Sequence, residues 1–234
     1  MKTPRFRRSL HRLITGVVAC IAAAGAISIE AAPIPGDTWT YVLVNGYSRE
    51  ARGALQYRVE STGAQGYSVA VLPDNSQAGA PRTELYTADG NWLRRVLPSH
   101  NQPVEYDFAA AYPAYVFPLE PGRSWSVRVN ATVPGGSRPR SVRVDGEVLG
   151  TERIRVPAGE FDTIKVRRIT YAGDIDFGLT ETNIVETDWY APALGRSVRR
   201  EMRSEFHDMR SRGQPKMLGD WDVLELVAVN GGKR

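Results

Sequence analysis

Residues 196–207 read Arg-Ser-Val-Arg-Arg-Glu-Met-Arg-Ser-Glu-Phe-His, and their alternation decides the fold class. In an extended chain Val198, Met202 and Phe206 fall on one face, with Arg200 and Ser204 between them. Arg199, Glu201, Arg203, Glu205 and His207 fall on the other. Charges of alternating sign along one face suit cross-strand ion pairing in water. The opposite face meets a core, and a sheet that is wet on one side is the antiparallel pattern.

The same vocabulary extends in both directions. Residues 141–171 read as a hairpin around Val156-Pro157-Ala158-Gly159-Glu160-Phe161. Pro157 pre-sets φ for the first turn position, and Gly159 can take the positive φ needed to re-enter the ladder. Both arms exceed ten residues, so they bend round a curved sheet. From Pro33 onward no helical period appears, and 22 Gly and 15 Pro punctuate the whole chain. The runs between them are rich in Val, Ile, Thr, Tyr and Trp. Strands are expected at 38–45, 55–61, 66–72, 82–88, 91–97, 103–108, 124–133, 141–156, 161–171, 180–190, 196–207 and 221–229. The fold class is all-β: an antiparallel curved sheet, half-barrel or sandwich.

Two motifs recur in the same order. Pro35-Gly36-Asp37-Thr38-Trp39 opens the first strand, and Pro121-Gly122-Arg123-Ser124-Trp125 opens another. Leu85-Tyr86, Gly90 and Arg94-Arg95 are matched by Trp189-Tyr190, Gly195 and Arg199-Arg200. The single domain expected over 33–230 therefore divides into half-units 33–110 and 118–230.

The N-terminus is an address. Lys2, Arg5, Arg7, Arg8 and Arg12 precede an uncharged run, Leu13 to Ile29, which is followed by small residues. A basic n-region, an apolar h-region and a small-residue exit make a secretory signal peptide over 1–28, with a periplasmic or secreted product. Ala24-Gly25-Ala26 and Ala26-Ile27-Ser28 both offer the small residues that cleavage needs. As a lasting membrane span the run is weak, because Ala and Gly make up much of it. Val17-Val18-Ala19-Cys20 also resembles a lipobox, which would anchor the protein by lipid at Cys20, and Arg7-Arg8-Ser9-Leu10 resembles a twin-arginine signal. The formal charge is +4, with 30 basic and 26 acidic residues. Removing the five basic leader residues leaves 30 − 5 = 25 against 26, a net charge of about −1. No nucleic-acid footprint remains, and no transmembrane span after processing. Cys20 is the only cysteine and leaves with the leader, which rules out disulfides and a cysteine-based zinc site.

Chemistry is sparse. His100 sits in a polar loop and His207 on the charged face, without metal-ligand spacing. No G-x-S-x-G elbow, Walker loop or dinucleotide glycine motif occurs. Asp174-Ile175-Asp176, between Gly173 and Phe177-Gly178, reads as a hairpin tip with solvated acids, or as a calcium loop without the EF-hand spacing. Glu181, Glu186 and Asp188 follow. Phe108 to Phe117 is the most apolar stretch after the leader and is interrupted by Pro113. It reads as an extended linker packed across the sheet. Its Tyr112, Tyr115 and Phe117 are the candidate ligand-contacting residues if a concave aromatic face holds an acyl chain or other apolar molecule. No catalytic residue, metal ligand or cofactor is expected.

Phe117-Pro118-Leu119-Glu120-Pro121-Gly122-Arg123-Ser124-Trp125, Val156-Pro157-Ala158-Gly159-Glu160-Phe161-Asp162-Thr163-Ile164-Lys165-Val166 and Trp189-Tyr190-Ala191-Pro192-Ala193-Leu194-Gly195-Arg196-Ser197-Val198 resemble the TapB-like family of exported bacterial proteins of unknown function. The resemblance spans about 117–198. It implies a curved sheet or half-barrel and an exported compartment, and it brings over no catalytic residue.

Three functions fit this sequence. The first is a non-enzymatic periplasmic domain that binds an apolar small molecule or a cell-envelope protein, and an apolar cavity open to solvent would favour it. The second is a structural or interaction protein of the envelope, favoured by a filled core with an exposed apolar patch. The third is a hydrolase, which needs converging carboxylates or a Ser/His pair in a cleft.

Overall fold

In the computed structural model, which describes residues 33–231 apart from 101 and 137, a strand stands at each of the twelve expected places. They are β1 (Thr38–Asn45), β2 (Ala51–Gly63), β3 (Gly66–Pro73), β4 (Arg82–Tyr86), β5 (Trp92–Leu97), β6 (Val104–Tyr112), β7 (Ser124–Thr132), β8 (Arg140–Val156), β9 (Gly159–Tyr171), β10 (Asn183–Ala191), β11 (Arg196–His207) and β12 (Lys216–Asn230). The expected signal peptide and Cys20 lie outside the described residues.

Each strand pairs antiparallel with its neighbours in sequence, and β1 pairs with β12, so the sheet closes into a barrel. The alternatives of an open half-barrel or a sandwich give way to full closure, because Thr38 lies opposite Asn230 and Asn45 opposite Asp222. Closure removes the unpaired edges that an open sheet must protect. The face assignment for 196–207 holds: Val198 and Ser204 are buried, and the outward Arg199 pairs with Glu201 and with Glu225 of β12. Lys165–Glu152, Arg94–Asp107 and Arg153–Glu160 continue the outer ion pairs. This charged exterior differs from the apolar band of a lipid-facing barrel.

The interior is filled by inward side chains from every strand, among them Trp39, Tyr57, Val69, Trp92, Tyr106, Val144, Val166, Ile184 and Leu226. The long hairpin β8–β9 forms at Val156 opposite Gly159, with Gly159 at φ +136° as its turn requires. Phe108 to Tyr112 belongs to β6, and the apolar stretch acts as a crossing linker only beyond it, over 113–123.

The two Pro-Gly motifs build the same turn. Gly36 and Gly122 both have positive φ, +94° and +84°. Gly36 N–H donates to Val59 O and Val59 N–H donates back to Asp37 O, both at 2.9 Å. Gly122 N–H donates to Val148 O and Val148 N–H back to Arg123 O, both at 2.8 Å. The barrel has two ends. Loops 87–91, 113–123 and 192–195 lie at the end where residue 33 enters; loops 98–103, 133–139, 172–182 and 208–215 lie at the other.

Candidate functional site

The unexpected content of the barrel is charge. Glu186 and Asp188 are inward-facing because they share the parity of Ile184 on β10, and all three are fully buried. Arg95 of β5 makes a two-pronged bond to Glu186 at 2.8 and 3.1 Å. Arg168 of β9 and Arg200 of β11 each donate to Asp188 at 2.6 Å. Ser197 adds a hydroxyl donor at 3.1 Å. Burial alone would raise the pKa of both acids, but the surrounding guanidinium groups more than offset it. Glu186, beside Arg95 and Arg168, is brought down to about 2, and Asp188 is held well below the usual carboxylate range by Arg168 and Arg200. A third buried acid, Glu84 of β4, accepts from Tyr86 at 2.5 Å, Trp92 at 2.9 Å and Arg82 at 3.2 Å. Trp92 lies flat under two of the cations, 4.0 Å from Arg95 and 4.8 Å from Arg200.

The candidate ligand residues divide. Tyr112 is fully buried; its hydroxyl donates to Glu186 at 3.1 Å and lies 2.5 Å from the Thr170 hydroxyl. Tyr115 donates to Asp188 at 2.9 Å, and its backbone is clasped by Asn91 at 2.8 and 3.0 Å. Phe117 is half-buried against Tyr115 and Tyr190. Ala114 O accepts from Arg168 at 3.1 Å, and Pro113 O accepts from Trp125 at 3.0 Å. This crossing segment therefore plugs the barrel end and is fastened to the buried ions.

Beside the plug is a cavity of about 30 Å³, room for about two waters rather than an acyl chain. It is lined by Tyr41, Tyr57, Tyr67 and Tyr86, by Arg196 and Arg200, and by Tyr115, the one candidate residue that reaches it.

The opposite end is different. Ile175 is 74% and Phe177 90% exposed, and Met209 is also exposed. The loops that carry them are fixed. Asp174 is buried rather than solvated as expected, because it accepts from Thr182 N–H at 2.7 Å, Thr182 Oγ1 at 2.8 Å and Ser99 Oγ at 2.6 Å. Asp176 is exposed, as expected of a hairpin tip, and accepts from Phe177 N–H at 2.7 Å. Leu179 bridges to Asp208, and Met209 N–H donates to Gly178 O at 2.7 Å. Ser99, His100 and Asp174 converge here, but the serine bonds to the aspartate directly, and His100 Nε2 sits 2.8 Å from Thr180 O. That order differs from a nucleophile–base–acid relay. Among the described residues no group of three or more His, Cys, Asp or Glu could hold a metal ion, and no helix is long and apolar enough to cross a membrane.

Sequence reasoning placed Arg200 on the core face but missed its partners. The available signal was parity and register together, since Asp188 stands directly across from Arg200.

No protein-family profile and no curated protein matches the chain. Solved structures that align with it include a protein from Parabacteroides distasonis ATCC 8503 described as a lipoprotein, at 14% identity and TM-score 0.45, covering 87% of this chain and 98% of that one. An exported protein with YmcC-like fold from Bacteroides fragilis NCTC 9343 aligns at 15% identity and TM-score 0.44, over 86% and 100% of the two chains. The hypothetical lipoprotein YmcC from Escherichia coli K12 aligns at 12% identity and TM-score 0.43, over 83% and 85%.

Proposed function

We propose that this chain is an exported, non-enzymatic β-barrel that serves the cell envelope as an interaction protein, docking a protein partner through the Ile175–Phe177–Met209 tip. The observation that carries this reading is Phe177, 90% exposed on a loop pinned by the buried Asp174 and by the Leu179–Asp208 bridge. A large aromatic presented rigidly to water is the form of an interface anchor, which fills a socket on a partner at little entropic cost. The basic leader and apolar run support export. So does the resemblance of 117–198 to TapB-like exported proteins. The filled barrel favours an interaction role over carriage of an acyl chain. The ligand role expected of Tyr112, Tyr115 and Phe117 enters at Tyr115 alone, through the cavity. The buried carboxylates are saturated by arginines and offer no free acid or base for hydrolysis.

The test is a photo-crosslinking residue placed at position 177 in the native host, with the same residue at Leu149 on the outer wall as control. A discrete protein adduct from 177 alone supports the reading. No adduct from 177, or equal labelling from 149, overturns it. Phe177→Ser should lose the partner with its melting temperature unchanged, since the ring contributes nothing to the core.

We also propose that the domain consists of two related six-strand halves, 33–110 and 118–230. The matching turns at Gly36 and Gly122 support this. So do Thr83-Glu84-Leu85-Tyr86 on β4 and Thr187-Asp188-Trp189-Tyr190 on β10, each of which sets an inward carboxylate two residues before a tyrosine.

A further inference from the structure

Arg196 differs from the four arginines that ring the buried carboxylates. Arg95, Arg168, Arg200 and Arg82 each have a carboxylate: Glu186, Asp188, Asp188 and Glu84 respectively. Arg196 has none among the described residues. Its Nε donates to Tyr41 Oη at 2.9 Å, and its guanidinium lies 4.2 Å over Trp39 and 5.1 Å from Tyr57. Its two terminal nitrogens have no acceptor among the described residues, and the side chain lines the 30 Å³ cavity. The connected network thus sets five arginines against three carboxylates, an excess of two positive charges inside a barrel. Rings recover part of the hydration that such a cation loses, but an anion recovers far more.

The rest of the cavity fits that need. Tyr57 and Tyr67 line it, and their hydroxyls have no hydrogen-bond partner among the described residues. Tyr86 and Tyr41 are already committed, to Glu84 and to Ser197 O. The two end loops contribute glycines, Gly90 and Gly195, to its lining. Two waters' worth of space suits the head of a ligand, with its remainder left outside at the barrel end.

We propose that this cavity is a binding site for one oxyanion, a carboxylate or phosphate group. The terminal nitrogens of Arg196 grip it, and the hydroxyls of Tyr57 and Tyr67 donate to its remaining oxygens. A guanidinium fork matches either group in two-pronged geometry. The site lies at the end of the barrel opposite the apolar tip and stands independently of the docking proposal.

The experiment is isothermal titration calorimetry of the purified mature protein at low ionic strength, with inorganic phosphate in one arm and acetate in the other. The expected result is saturable binding of one anion per chain, the stronger arm telling phosphate from carboxylate. Arg196→Gln should weaken it about tenfold to a hundredfold, the range for a hydrogen-bonded charge pair. Because Arg196 also packs on Trp39, the Tyr57→Phe/Tyr67→Phe double variant is titrated beside it; that variant keeps every ring and the charge and should weaken binding several-fold. No saturable heat in either arm with the wild type overturns the proposal. So does unchanged affinity in a folded Arg196→Gln, or, if that variant fails to fold, unchanged affinity in the tyrosine double variant.

Discussion

Asp188 is the residue on which the interior turns. It is fully buried and accepts from Arg168, Arg200, Tyr115 and Ser197, which come from two strands and the plug. Removing its charge strands two buried guanidinium groups, so Asp188→Asn should cost about 3–5 kcal/mol, read from a denaturant melt. The pH dependence has a definite sign. Glu186 and Asp188 both have folded-state pKa values below their unfolded ones. Their contribution is therefore complete above the unfolded carboxylate range near pH 4 and is lost as pH falls toward 2. The melting temperature should drop steeply across that window, and Glu186→Gln should flatten the drop. A flat profile in the wild type would contradict the ion network. Little of this was legible in the sequence. Alternation says which side chains point inward, and it put Arg200 with Val198 and Met202. It does not say that Arg95, 91 residues before Glu186, closes the same cluster. That pairing is made by the barrel's closure and is invisible to local period.

At the scale of elements the sequence was far more readable. Strand ends fall within a few residues of expectation because Pro, Gly and Asn mark them chemically. The hairpin turn is a further test of that legibility. Gly159 has open space around it, with its nearest side-chain atom 4.0 Å from a Cβ placed there, so a larger residue suffers only from the positive φ. Gly159→Val should then destabilise by about 1–3 kcal/mol without a clash, measured by thermal or urea melting. The two tryptophans probe the half-units. Both are on the inner face at the start of a strand, Trp39 buried and Trp125 half-buried. Tyr57 stands across from Trp39, whereas Gly146 stands across from Trp125, whose ring covers it where a Cβ would collide. Trp39→Ala should cost about 3–5 kcal/mol, and Trp125→Ala clearly less. Equal losses would show that Trp125 carries more of the core than its burial implies. The apolar stretch 108–117 was half legible. Its apolar character was plain, but the tyrosine hydroxyls that fasten it to buried acids gave no periodic sign.

At the scale of the molecule, the seam between β1 and β12 governs timing. Thr38 must find Asn230, 230 − 38 = 192 positions downstream. Until β12 emerges, β1 has only β2 beside it, its other flank of N–H and C=O groups stands unmatched, and the ring cannot shut. If the proposed export threads the chain through a channel unfolded and N-terminus first, this architecture postpones its last cooperative step until the final strand has crossed. The same delay that slows the fold would then keep the chain thin enough to travel.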